Sequence, residues 1–110
     1  MASITRYRGD TAPDRFTVTD TDGTALNVTG YSFIMTIDER LNPPDETTQI
    51  AQITGDLVTP SSGIIEFAPT SGDADQEPGT YYYDIQMTDG DGKLTTLAKD
   101  EYIFTQDITK

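Results

Sequence analysis

The chain has 110 residues with 19 acidic and 7 basic side chains, a formal charge of −12, and neither Cys nor His. A chain of that length suits one domain over residues 1–110, burying about two-thirds of the surface its unfolded form exposes. The charge argues against nucleic-acid and anionic-membrane partners. Without Cys or His no disulfide, no thiolate or imidazole metal site and no imidazole-activated nucleophile can be assembled.

Thr is abundant, and β-branched residues favour the pleated geometry of strands. Short alternating segments separated by turn residues at intervals of about ten predict a sandwich or barrel. In chain order, residues 3 to 8 predict a leading strand ended by Gly9-Asp10 and Pro13. Arg15 to Thr19 alternates with Phe16 and Val18 on one face, and "TDTDGT" turns the chain toward a segment holding Leu26 and Val28. "YSFIMTIDE" sets Phe33, Met35 and Ile37 inward, with Ser32, Ile34, Thr36 and Asp38 on the other face. "LNPPDETT" is a break, because paired prolines remove backbone donors.

The pattern resumes in "TQIAQIT", where Ile50 and Ile53 are the inward candidates despite a spacing that breaks alternation. "GIIEFAP" pairs Ile65 with Phe67, and "TSGDADQEPG" reads as a polar loop. "TYYYDIQM" is the strongest strand, with Tyr81, Tyr83, Ile85 and Met87 on one side and Tyr82, Asp84 and Gln86 on the other. "TDGDGK" is a hairpin signal, and "LTTLAK" and "EYIFTQDI" complete the count. The expected fold is all-β, an immunoglobulin-like antiparallel β-sandwich of seven to nine strands.

One local pattern is more specific. In immunoglobulin-like domains a Tyr two residues before an inward strand position ties a preceding loop to the strand through its hydroxyl. Gly79, Tyr81 and Tyr83 in "EPGTYYY" match that spacing, with Tyr83 in the core position where a Cys would otherwise stand. Arg8-Gly9-Asp10 is, by its letters, an adhesion tripeptide. So close to the strand that follows, Gly9 is better read as a bend and Asp10 as a side chain that bonds the free amides of the turn.

No catalytic constellation stands out. The acids fall in turns or on outward faces, and the chain is read as non-enzymatic, with no cofactor and no metal. The turns "DTDG" and "DGDG" lack the first-position acid and twelfth-position Glu of a helix-loop-helix calcium loop, so they read as hairpin turns. Between Arg40 and Lys93 there is no basic residue, a bias that hints at a salty or calcium-containing setting or at a basic protein partner. Tyr31, Tyr82 and Tyr102 are candidate outward aromatics, suited to a protein partner or to a sugar. "MASITRYRGD" lacks the apolar stretch of an export signal.

Taken together, "YRGDTAPDRFTVTDTDGTALNVTGYSFIMTI", "SGIIEFAP", "EPGTYYYDIQMTDGDGKLTTL" and "YIFTQDIT" resemble the β-sandwich modules of tailed-bacteriophage virions related to the N-terminal domain of the baseplate upper protein. The resemblance spans almost the whole chain, and its motifs are strand-and-turn patterns. It implies a non-enzymatic virion protein of the tail, baseplate or fibre, made in the bacterial cytoplasm and docking other virion structural proteins as a homo-oligomer or in many copies. The alternatives are a capsid decoration protein on the phage head and a host-surface or glycan-binding module.

Overall fold

The computed structural model describes residues 3–9, 11–20, 22–44, 47–74 and 76–106. Among them eight strands form two sheets: β1 (Ile4–Tyr7), β2 (Asp14–Thr17), β3 (Ser32–Asp38), β4 (Gln49–Thr54), β5 (Asp56–Thr59), β6 (Ile64–Phe67), β7 (Gly79–Thr88) and β8 (Leu94–Thr105). The larger sheet has the order β1-β8-β7-β3-β4 and the smaller β2-β6-β5. β1 runs parallel to β8, and the other pairings are antiparallel. The chain is an all-β sandwich, as its alternation and turn spacing predict.

The period-2 pattern fixes which side chains meet between the sheets. Phe33, Met35 and Ile37 of β3, Tyr83 and Ile85 of β7, and Tyr102 and Phe104 of β8 face Ile65 and Phe67 of β6, all of them buried. Val18 and Val28, outside the strands, close one end of that core. Its rings meet edge to face: Tyr83 with Tyr102 at 6.0 Å between centroids, and Phe16 with Phe67 at 5.7 Å. Such pairs add about 0.5–1.5 kcal/mol beyond the area they bury.

A polar tie joins the two sheets inside this core. Arg6 of β1 is 7% exposed; its Nε donates to the Tyr102 hydroxyl at 2.8 Å, and its Nη2 donates to Asp14 Oδ1 at 2.8 Å and to the Ala12 carbonyl at 2.6 Å. The Tyr102 hydroxyl donates in turn to Asp14 Oδ2 at 2.6 Å. Burial works against the Arg6 charge, yet Tyr102 and Asp14 together hold its pKa above the ordinary value. Burial, and then Asp14, push the Tyr102 hydroxyl far above the usual tyrosine range, against the pull of Arg6.

Several sequence expectations need correction. Tyr102, a candidate outward aromatic, is fully buried, because Arg6 and Asp14 satisfy its hydroxyl inside the sandwich. Asp38, expected outward, is 5% exposed and accepts bonds from the Arg40 amide and the Thr48 hydroxyl. Ala51, not Ile50, is buried beside Ile53: a bulge between Ile37 and Asp38 sets Asp38 opposite Gln49 and leaves Ile50 half-buried. Leu26 and Val28 form no strand; only a single bridge, Thr19 with Ala25, spans that loop. "LTTLAK" and "EYIFTQDI" merge into one strand of 12 residues, and one helical turn, Ser71–Ala74, interrupts the polar loop.

The turns follow their residue chemistry. Asp20 Oδ1 accepts from the Asp22 and Thr24 amides, and Asp89 Oδ1 accepts from the Asp91 and Lys93 amides. Gly23 and Gly92 take φ of +84° and +83°, a region that costs a residue with a Cβ. Gly9, at φ +79°, follows Arg8, whose amide donates to the Thr105 carbonyl at 3.0 Å. The tripeptide therefore begins as the turn that leaves β1; Asp10 lies outside the described residues.

Candidate binding recess

The outer face of the five-stranded sheet carries a concavity that gathers charges from several parts of the chain. β3, β7 and β8 place Thr36, Asp84 and Lys99 in one cross-strand row. Tyr82 stands two residues before Asp84 on the same face, paired with Asp38. The loop after β3 then folds over this row. Asp38 holds the neck of the loop through the Arg40 amide at 2.9 Å and the Thr48 hydroxyl at 2.6 Å. Lys99 Nζ holds its tip, donating to Asn42 Oδ1 at 2.7 Å.

The open hollow measures about 80 Å³ and is lined by Thr36, Asp38, Arg40, Leu41, Pro43, Tyr82, Tyr83, Asp84 and Lys99. Pro43 and Pro44 limit the loop's freedom, since each ring fixes φ. Arg40 also borders a neighbouring hollow with Pro44, Thr47 and Thr48. Burial raises the Asp84 carboxyl above the usual carboxylate range, and Lys99 opposes that shift without cancelling it. Two carboxylates, Asp38 and the partly desolvated Asp84, two cations and a tyrosine ring in one recess suit recognition of a small ligand that carries both signs of charge.

The residues singled out in the sequence are placed as follows. Gly79 begins β7 opposite Phe104, close to where the Arg8 amide meets Thr105, so Gly9 and Gly79 both lie at the C-terminal end of β8. The Tyr81 hydroxyl donates to the Glu77 carbonyl at 2.9 Å, and its ring packs edge to face on Phe104 at 5.3 Å. Tyr83 is 2% exposed, and burial, with the charges of Asp100 and Asp14, raises its hydroxyl pKa. Of these residues Tyr83 borders the recess, as does Tyr82 from the candidate outward aromatics. Asp38, Arg40, Asp84 and Lys99 carry the charge there, and none is a candidate site residue by sequence. Among the described residues no group of three or more Asp or Glu side chains is placed to hold a metal ion.

No family model matches the sequence, and no curated protein matches it. Among solved structures the fold is similar to that of CopC from Methylosinus trichosporium OB3b, with a TM-score of 0.54 and 11% identity, over 96% of this chain and 86% of that one. At that identity the likeness is one of fold: an all-β architecture shared along nearly the full length. The neighbour is not a phage module, and the finding overturns the expected role in a virion, with its capsid-decoration and glycan-binding alternatives. The physical reason lies in the motifs themselves. A Gly-x-Tyr-x-Tyr corner and an Asp-Gly hairpin report turn and strand geometry that unrelated β-sandwiches share, so they speak for a fold and not for a setting.

Proposed function

We propose that this protein is a non-catalytic binding module whose ligand site is the loop-covered recess on the outer face of the five-stranded sheet. The ligand class that fits is a small zwitterion of amino-acid size, with its carboxylate at Arg40 and its ammonium between Asp84 and the Tyr82 ring. The observation that carries this reading is the convergence of Arg40, Tyr82, Asp84 and Lys99 in one recess of about 80 Å³, although the sequence between Arg40 and Lys93 holds no base. Absence of catalysis is the simpler reading of that lining, because Thr36 has no imidazole or amine base beside it other than Lys99, which is engaged with Asn42.

The test is an amide-shift titration of the protein with free amino acids, one by one. Shifts confined to residues 36–44, 82–84 and 99, lost in Arg40→Ala and in Asp84→Asn, support the reading. A uniform absence of shifts at about millimolar ligand, where binding is worth only about 4 kcal/mol, refutes it.

A further inference from the structure

β1 is only four residues long and pairs with Tyr102–Thr105 alone. On the side of β8 away from β7, no described residue pairs with Leu94–Ala98, and Leu94, Thr95 and Thr96 are exposed. β2 is likewise an edge of its own sheet. Between these two edges the sandwich stands open, with a cleft of about 190 Å³ lined by Phe16, Val18, Ile65, Ile85 and Leu97 together with Thr17 and Thr19. That volume exceeds the engineered cavity of about 150 Å³ that takes up benzene, so one branched or aromatic side chain fits. Leu97, which lines the cleft, is a bulged residue: Gln86 pairs with Thr96 and Ile85 with Ala98, leaving Leu97 unopposed.

We infer that the β8 edge at Leu94–Ala98, with the cleft beside it, is a strand-addition site for an extended, basic segment of another protein that seats an apolar side chain among Phe16, Val18 and Leu97. An open edge supplies main-chain hydrogen bonds and an adjoining pocket reads alternate side chains, the two parts of recognition by strand addition. Charge selects the occupant. Lys93 and Lys99 flank the edge, Lys99 engaged with Asn42, but six acids outnumber them around it: Asp89 and Asp91 in the turn before β8, Asp20 and Asp22 after the cleft residues Val18 and Thr19, and Asp100 and Glu101 farther along the same strand. A second copy would bring its own charge of −12 to that edge, whereas a Lys- or Arg-bearing strand meets an opposite potential. This site lies on another side of the fold from the recess and does not depend on the recess binding anything.

The experiment uses the whole chain and a synthetic peptide of about ten residues, a usual upper strand length, with Val and Lys alternating. A peptide of the same composition in blocked order and one alternating Val and Glu serve as comparisons. The alternating basic peptide is expected to bind at least about tenfold more tightly than either, about 1.4 kcal/mol, and to slow amide exchange at residues 94–98. Thr17→Phe, which fills the cleft from an exposed position on β2, should abolish that preference while the variant keeps its melting temperature. If Thr17→Phe fails to fold, the comparison of alternating with blocked peptide decides alone. Equal binding of the blocked peptide, protection at β4 or β5 in place of β8, or protection of residues 94–98 by dimerisation without peptide would each overturn the inference.

Discussion

Tyr102 on β8 gives its hydroxyl proton to Asp14 at the start of β2 across 2.6 Å, so the last long strand of one sheet is bonded to the first strand of the other. Arg6 completes the tie from β1, donating to both partners. Tyr102 is 88 and 96 positions from Asp14 and Arg6 along the chain, and the union of the three closes the sandwich at the end where β1 covers β8. Buried polar groups of this kind stabilise only while every member is satisfied.

Removing one member should therefore cost more than removing the charged pair together. Arg6→Met leaves the Asp14 carboxylate in a site where its side chain is 14% exposed, and loss of one partner from a buried pair costs about 3–5 kcal/mol. Tyr102→Phe strands one Arg6 donor and one Asp14 acceptor, for about 1–3 kcal/mol. The double variant Arg6→Met with Asp14→Leu should recover much of the single-variant loss. Urea unfolding of the parent, Arg6→Met, Asp14→Leu and the double variant checks this; a double variant as unstable as the sum of its two singles would show that the tie contributes no coupling.

The same core sets the alkaline limit of stability. Tyr81, Tyr83 and Tyr102 all have hydroxyl pKa values raised from the usual 10.0, with burial as the leading cause. A raised folded pKa means the fold prefers the protonated hydroxyl. The stabilisation is therefore complete below the unfolded value and is lost as pH climbs from 10 through the higher folded values. The urea midpoint should be level from pH 7 to 9, since no His titrates there, and should fall steeply above 10. Tyr102→Phe should blunt that fall, and an unchanged slope in the variant would remove Tyr102 from the explanation.

Gly63 predicts a steric failure. Its φ is +71°, and a Cβ added there would lie 2.5 Å from the Val18 carbonyl oxygen and 2.8 Å from that of Leu26. Its own carbonyl accepts the Val18 amide at 2.8 Å, so the backbone cannot move aside without breaking the contact that ends β2. Gly63→Ala should cost at least about 1–3 kcal/mol, the strain of a left-handed non-glycine residue, with the clash added. A thermal melt within one degree of the parent would show that the 18–26 loop yields freely.

The Tyr81 hydroxyl is a milder case. Its bond to the Glu77 carbonyl lies at the surface, and Tyr81→Phe keeps the ring on Phe104. A loss of about 0.5–1.5 kcal/mol is expected, the net worth of one hydrogen bond. Faster amide exchange limited to residues 77–80 would place the effect in the loop that the hydroxyl holds.

Much of the fold was legible in the sequence because side-chain alternation is a local property. Phe33, Met35 and Ile37, Ile65 and Phe67, and Tyr83 and Ile85 all face the core, as period 2 requires. Bulges defeated the reading elsewhere. One at Ile37/Asp38 exchanged Ile50 for Ala51. Another, at Leu97, hid the recess: counting back in step from the Thr88–Leu94 pair sets Asp84 opposite Ala98, and the extra residue brings Lys99 there instead. Arg40 enters the same recess only through the loop that Asp38 and Asn42 hold down, contacts that no local pattern announces. Tyr82 was legible as an outward aromatic, while Tyr102 was misread because its buried partners, Arg6 and Asp14, lie near the opposite end of the sequence.

Asp84 should show stability and binding moving in opposite directions. Burial raises its carboxyl pKa above 3.8, and the attraction of Lys99 does not make up the difference. A raised carboxyl pKa means the fold favours the neutral acid, so its contribution is favourable at low pH and is lost as pH rises through the folded value. At neutral pH the ionised Asp84 is therefore a cost, and Asp84→Asn, close in shape and without the charge, should raise the urea midpoint at pH 7. Near pH 3, where Asp84 is largely protonated in the parent, the advantage should vanish. The same substitution removes the group proposed to hold a ligand ammonium, so amino-acid titration of the more stable variant should give no shifts at Tyr82. Proteins often keep such locally costly charges where a ligand needs them. An Asp84→Asn protein no more stable at pH 7 than its parent would mean that the Lys99 attraction outweighs burial, and that Asp84 is held by its strand neighbour and not kept in reserve for a ligand.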